Sequence, residues 1–205
     1  MDRMWVRAHS LAREAWAFLR GFWRGLRHIP PVRTPDEQAF VDELFTHFPF
    51  SEQAKAWLRE TVWMRIEDLA SLRGGGLFFP GQNRVHLNTA QYEAAIHELA
   101  HAWWHVRRRL QRDAFVAAVV QAADEPDPRY ERIAGLAHGY IHGLPELEFP
   151  GFLKDRNDWE MFAGLASGCM ADMRLLPPCL RPFFEGLFHL LPPDAASPEE
   201  MAPHR

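Results

Sequence analysis

The segment that opens at Asn88 or Thr89 and runs to about Leu110 constrains the fold more than any other part of the chain. Apolar and small residues recur in it with the period of an α-helix, and neither proline nor glycine interrupts them. His97 and His101 lie four residues apart in the middle of this pattern. Their side chains therefore project from one face of a long helix, one turn apart.

This histidine pair is suited to hold a zinc ion. Imidazoles at positions i and i+4 can converge on one Zn²⁺ at about 2.0–2.1 Å each. Glu98 follows the first histidine and can reach water at the metal without binding the metal, which predicts a general base for hydrolysis. The alternative is a solvated helix with two surface histidines. Neighbouring apolar residues such as Ile96 and Leu99 favour a buried pair, which needs partners that a metal supplies.

A catalytic zinc site also needs a third protein ligand and an open position. Glu160, at the start of a later and largely apolar helix, is the predicted third ligand. The competing interpretation is a capping-box glutamate in a helix capped by Asn157. His105 is excluded as a ligand, because eight residues of helix place it about 12 Å from His97 along the axis. The other candidates are His138, His142, Glu146, Glu148 and Asp172.

The remaining pattern predicts an α+β fold that is predominantly helical, with a small mixed or antiparallel sheet packed on the histidine-bearing helix. Thr34 and Ser51 are predicted N-caps of helices that run to about His47 and Arg59. Residues 62–67 alternate in polarity and predict a strand, with helix as the competing interpretation. Two further strands are predicted over residues 77–79 and 84–87, and further helices over about 113–123, 127–143, 157–173 and 180–190, with a loop over residues 144–154.

Three regions follow from these patterns. Residues 34–191 form the predicted main domain, and residues 192–205 a flexible tail. Residues 1–33 carry seven arginines against two carboxylates and predict a basic, tryptophan-rich amphipathic helix over residues 4–27. That helix either lies on an anionic membrane surface or packs its apolar side against the main domain.

Composition excludes several classes of protein. The 205 residues carry a formal net charge of −4, which opposes general nucleic-acid binding. No uncharged apolar run approaches the roughly 20 residues that a membrane span needs. The first residues lack the pattern of a signal peptide. Because Cys169 and Cys179 do not make a disulfide framework either, a cytoplasmic location is predicted.

The run His97-Glu98-Leu99-Ala100-His101, with strands before it and a glutamate on a helix after it, resembles the zincin fold of zinc metallopeptidases. The downstream glutamate resembles the gluzincin type, and the resemblance covers roughly residues 51–173. It implies Zn²⁺ as the cofactor, His97, His101 and Glu160 as its ligands, Glu98 as the base, and a peptide or protein as the substrate.

The resemblance has one departure and one further implication. Compact members often carry a tyrosine seven residues before the third-ligand glutamate to stabilise the oxyanion, and here that position is Leu153. Tyr140, Tyr130 or His142 is then the candidate for that role. The resemblance further implies that residues 84–88 are the edge strand to which a substrate adds as an extra strand.

Two other functions stay open. One is a zinc-binding sensor or scaffold of zincin type that turns over weakly or not at all. The other is an all-helical interaction protein in which the histidine motif is accidental.

Overall fold

The structure is a computed structural model and describes residues 33–67, 75–124, 127–142 and 157–198.

The first two described helices begin at the capping residues that the sequence predicts. Helix α1 spans Pro35–His47, and α2 spans Glu52–Thr61. The Thr34 hydroxyl accepts a hydrogen bond from the Glu37 backbone N–H, and the Glu37 carboxylate accepts one from the Thr34 N–H, which closes a capping box. The Ser51 hydroxyl caps α2 in the same way by accepting from the Ala54 N–H.

Three short strands form one mixed sheet in the order β1-β3-β2. Strand β1 spans Trp63–Ile66, β2 spans Gly76–Phe79 and β3 spans Arg84–Leu87. β1 lies parallel to β3, whereas β2 and β3 form an antiparallel hairpin. Asn83 closes that hairpin with a φ of 45°, a left-handed conformation that asparagine tolerates better than most residues. The strand at residues 62–67 and the hairpin are therefore confirmed, as is the α+β class.

The prediction that residues 84–88 form a free edge of the sheet is wrong. β3 pairs with β1 on one side and with β2 on the other, so both of its hydrogen-bonding edges are used. The edges are β1 and β2, and β2 is the edge strand that lies against the histidine-bearing helix. The sequence could not show this, because β1 joins the sheet through a parallel pairing that no local turn signals.

The histidine-bearing helix is longer than predicted and sharply bent. Helix α3 runs from Tyr92 to Asp124, where the sequence predicts two helices that meet near residue 110. A straight helix would separate residues 104 and 115 by about 16 Å along its axis. The rings of Trp104 and Phe115 nevertheless have centroids 4.9 Å apart. Helix α3 is therefore bent between these two residues, and Leu110, which lies between them, is exposed.

An aromatic core joins α3 to the C-terminal elements. Helix α4 spans Glu131–His142, α5 spans Asp158–Gly168 and α6 spans Arg181–Phe184. The Phe162 ring on α5 stacks on Trp104 of α3 at 4.5 Å and on Phe184 of α6 at 4.4 Å. Such stacking adds to the burial of large rings and fixes the distance between the helices. Among the elements that the structure describes, α3 and α5 share the most extensive contact.

Two C-terminal predictions need correction. Helix α5 ends at Gly168 rather than near residue 173, and α6 covers four residues of the predicted 180–190. At the beginning of the predicted flexible tail, the backbone carbonyls of Pro192 and Ala195 accept hydrogen bonds from the Arg174 guanidinium.

Some predictions fall outside the described residues. These are the helix at residues 4–27, the loop at 144–154 and the end of the tail after residue 198. Within the part of the chain that the structure describes, none of the helices combines the length and the hydropathy needed to cross a bilayer.

Candidate metal centre

His97, His101 and Glu160 meet in one cluster between α3 and α5. The Nε2 atoms of His97 and His101 lie 3.1 Å apart. Each also faces one carboxylate oxygen of Glu160, at 3.3 Å from His97 and 3.4 Å from His101. The residues of the predicted ligand set are thus brought together although Glu160 follows His101 by 59 residues and His97 by 63. Glu160 does not form the capping box of the competing interpretation, because its carboxylate faces the two histidines of α3.

The distances within this cluster fit a metal ion better than hydrogen bonds alone. Each Nε2 can carry one hydrogen, so two of the three contacts can be hydrogen bonds and the third cannot. If both rings donate to Glu160, the two Nε2 atoms face each other at 3.1 Å with their N–H groups in conflict. Two ligand atoms at about 2.0–2.1 Å from a tetrahedral Zn²⁺ lie roughly 3.3–3.4 Å apart. The observed separations of 3.1–3.4 Å are close to that value.

Residues on both sides of Glu160 anchor it to α3 through Trp104. The Trp104 indole N–H donates to the Asp158 carboxylate at 2.7 Å, and its ring stacks on Phe162. Arg108 and Arg112, one and two turns further along α3, also donate to Asp158. Asp158 is 1% exposed, so these three donors are what satisfy its buried charge. The network fixes where the first turn of α5 lies and hence where Glu160 points.

The predicted base, Glu98, is buried between α3 and the edge strand β2. Its carboxylate accepts a hydrogen bond from the Phe78 backbone N–H, and it is 6% exposed. Gly76 permits this contact, because a Cβ there would lie 2.8 Å from both the Glu98 Cγ and the His86 carbonyl. Burial raises the pKa of Glu98 to about 7, a value suited to a group that gains and loses a proton near neutrality.

The pKa shifts of Glu160 and His101 favour metal binding, whereas the shift of His97 does not. Although burial opposes ionisation of Glu160, hydrogen bonds with His101 and His97 hold its pKa well below the usual value. Burial lowers the pKa of His101 and so favours its neutral form. Burial also acts on His97, but Glu160 and Glu98 outweigh it and raise its pKa. A cation in the cluster would be bound by an ionised carboxylate and a neutral imidazole at His101.

Of the oxyanion candidates, Tyr140 packs against the helix that carries Glu160. Its hydroxyl rests on Gly164, one helical turn after Glu160 on α5, where any Cβ would overlap it. Burial, together with the charge of Glu160, raises the pKa of Tyr140 to about 12, so the hydroxyl keeps its proton and stays a donor.

Replacing Gly164 with alanine is expected to destabilise the fold by about 1–3 kcal/mol, because the added methyl group displaces the Tyr140 ring. Thermal unfolding of the variant measures this, and a second change, Tyr140→Leu, should recover part of the loss. Gly135→Ala is the matched control: nothing lies within 4 Å of a Cβ there, so a gain of up to about 1 kcal/mol is expected. Equal stability of Gly164→Ala and wild type would contradict this packing.

The other candidate residues lie elsewhere. His142 is exposed and faces Asp124 at 3.3 Å, and the Tyr130 hydroxyl accepts a hydrogen bond from Arg181. Asp172 is buried in a bidentate pair with Arg174, and His138 lines a separate cavity near Asp127. His105 packs its ring against Phe78 and Trp159. The structure therefore does not bring these residues into the cluster, while Glu146, Glu148 and Leu153 fall outside the described residues.

The sequence did not identify Trp104 and Asp158 as residues that position Glu160. From the sequence, Trp104 is one more aromatic residue of the core, and Asp158 is an ordinary carboxylate at the start of a helix. The one signal was the spacing of Trp104, Arg108 and Arg112, which places an indole N–H and two guanidinium groups on one face of a helix. Three donors on a partly apolar face call for a buried acceptor, but the sequence does not say which carboxylate supplies it.

Comparison of the chain with protein-family models, with curated proteins and with solved structures gives no significant match.

Proposed function

We propose that this protein is a zinc-dependent peptidase whose metal is held by His97, His101 and Glu160. The observation that carries the proposal is the close triangle of two imidazole nitrogens and a carboxylate, whose contacts hydrogen bonding alone cannot satisfy. Nitrogen and oxygen donors of this kind suit Zn²⁺, and three protein ligands leave a position open. Zincins are the proposed family, on the basis of the His97–His101 motif and the downstream Glu160.

Glu98 has the central chemical role in this proposal. A bound Zn²⁺ supplies Lewis acidity, which polarises a peptide carbonyl and makes water more acidic. Glu98 then accepts a proton from the attacking water and donates it to the leaving amine. Tyr140 is proposed to donate a hydrogen bond to the carbonyl oxygen as that oxygen gains negative charge.

Metal content tests the binding half of the proposal. Purified protein is expected to hold about one zinc per chain, and a chelator should lower its Tm because zinc binds the native state in preference to the unfolded chain. His101→Ala should lose the zinc and the response to chelator. His142→Ala is the matched control, because His138 and His142 form an equally spaced pair with ring centroids 4.5 Å apart. Zinc retained by His101→Ala, or lost equally in both variants, would contradict the ligand assignment.

Hydrolysis tests the catalytic half. The zinc-loaded protein is expected to cleave casein or members of a peptide library, to lose that activity with a chelator, and to regain it when Zn²⁺ is restored. Mass spectrometry of the products shows whether peptide bonds are cut. Cleavage that persists through complete metal removal would sink the proposal.

One observation favours the alternative, a zinc-binding sensor or scaffold with little turnover. The Nδ1 atom of His101 is buried and has no hydrogen-bond partner among the described residues. A histidine that binds a metal normally donates a hydrogen bond from its other ring nitrogen to a carbonyl or carboxylate, which orients the ring and makes it a stronger ligand. Stoichiometric zinc without cleavage of any peptide in the library would select this alternative.

A further inference from the structure

A cavity of about 350 Å³ opens beside His97 and Glu98. It lies between the start of β2 and the first turns of α3, next to the candidate metal centre. Much of its wall is made by residues with short side chains or none, namely Gly75, Gly76, Ala94 and Ser167. The space is therefore open to a long side chain that comes from a ligand.

The charged residues of this wall are acidic. Glu93 lies one helical turn before His97 on the same face of α3, and it is exposed at the cavity. Glu98 lines the same cavity from the buried side. No arginine or lysine lines it among the residues that the structure describes.

The main chain of β2 is also turned toward this space. The Asn88 N–H donates to the Gly75 carbonyl at 3.0 Å, so Gly75 is hydrogen-bonded to the strand beside it. Hydrogen bonding alternates along an antiparallel strand, so the polar groups of Gly76 and Phe78 point the other way. The Phe78 N–H already donates to Glu98, and the Gly76 main chain faces the cavity, where an extended peptide can pair with it.

We propose that this cavity selects substrates with a positively charged nitrogen close to the scissile bond, and that Glu93 pairs with that charge. The proposal rests on the peptidase function proposed above. The short wall residues leave room for a long side chain, Glu93 supplies a negative charge, and the main chain of the β2 edge aligns the peptide. A peptide offers such a nitrogen either in a lysine or arginine side chain or at its free N-terminal amine.

Matched peptides test the proposal on the zinc-loaded protein. A set of fluorogenic peptides of one sequence carries a single lysine at each position in turn, and a second set carries norleucine, which is similar in length and uncharged. Each peptide is made with a free and with an acetylated N-terminus, which separates the two sources of charge. We expect kcat/KM to favour one charged form by on the order of 10–100-fold, as for a charge-assisted hydrogen bond.

Variants of Glu93 show whether that residue is responsible. In Glu93→Gln the preference is expected to fall to within about threefold, and in Glu93→Lys to reverse in favour of the uncharged peptides. Higher ionic strength should weaken the preference of the wild type, because Glu93 is exposed. Glu131→Gln, a neutralised exposed carboxylate on α4, is the matched control and should keep the wild-type ratio.

The outcomes separate this proposal from the peptidase function. Equal cleavage of charged and uncharged peptides, or a preference that Glu93→Gln leaves intact, would overturn the proposal while hydrolysis stands. If no peptide is cleaved, labelled forms of the same peptides are titrated into the zinc-loaded protein and fluorescence anisotropy is measured. Tighter binding of charged peptides that Glu93→Gln abolishes would support the site even without turnover, and equal binding would remove it.

Discussion

The Glu98→Gln variant is expected to keep its zinc and its fold while losing at least about 10²–10⁴-fold in the rate of peptide hydrolysis. Glutamine retains an oxygen that can accept the Phe78 N–H hydrogen bond, but it cannot accept a proton from water. The measurements are metal content, Tm and kcat/KM on the best-cleaved peptide. Glu131→Gln is again the matched control and should match wild type in all three.

The stability of Glu98→Gln gives an internal check on this result. Burial raises the pKa of Glu98 above its unfolded value, so the folded state binds a proton more tightly than the unfolded state. In the metal-free wild type this tighter proton binding stabilises the folded state below about pH 4.5, and the stabilisation is lost as the pH rises toward about 7. The metal-free variant should therefore be at least as stable as wild type at pH 8. Lost activity with an intact Tm then identifies Glu98 as the base, and activity near wild type contradicts that role.

The Asp158→Ala variant is expected to be destabilised by about 2–4 kcal/mol, which corresponds to roughly 5–15 °C in Tm for a chain of this size. The change leaves the buried Trp104 indole N–H without its acceptor and leaves Arg108 and Arg112 without their shared partner. Because Asp158 begins the turn that carries Glu160, zinc affinity should also fall, by about 10–100-fold. Thermal unfolding with and without zinc measures both effects.

Asp127→Ala is the matched control for this change. Asp127 also accepts a bidentate hydrogen-bonded pair from an arginine, Arg129, but outside the buried core. Because its carboxylate also caps the turn that follows it, its loss should lower Tm slightly, by much less than Asp158→Ala does, and leave zinc affinity unchanged.

The stabilisation by Asp158 depends on pH. Although burial opposes ionisation of Asp158, Arg108 and Trp104 hold its pKa below the ordinary value. The stabilisation that the ionised carboxylate gives to the fold is therefore present above about pH 4 and is lost as the pH falls further. A stability gap between wild type and Asp158→Ala that persists unchanged at pH 2 would contradict this account.

Local signals account for much of the fold and for part of the candidate site. Thr34 and Ser51 cap their helices as predicted, because a capping side chain bonds to backbone groups within three residues of itself. The helical period alone places His97 and His101 on one face. The hairpin of β2 and β3 likewise follows from a turn next to two short apolar runs.

Contacts between distant segments account for the rest. The parallel pairing of β1 with β3 places β3 inside the sheet, contrary to the prediction for residues 84–88. The bend in α3 appears only once Phe115 packs against Trp104. The choice of Glu160 over His142 and Asp172 depends on Asp158 and Phe162, which hold α5 against α3.

The amino-acid sequence by itself determined the helical framework, the histidine pair and the residue types available to bind a metal. The tertiary structure decided which carboxylate meets that pair, which strand borders it and that an acidic cavity lies beside it. The physical reason is one of range. Caps, turns and helical faces are set by atoms a few residues apart. Glu160, in contrast, reaches His97 and His101 only because burial of Trp104 and Phe162, together with the hydrogen bonds to Asp158, offsets the entropy of closing a long loop.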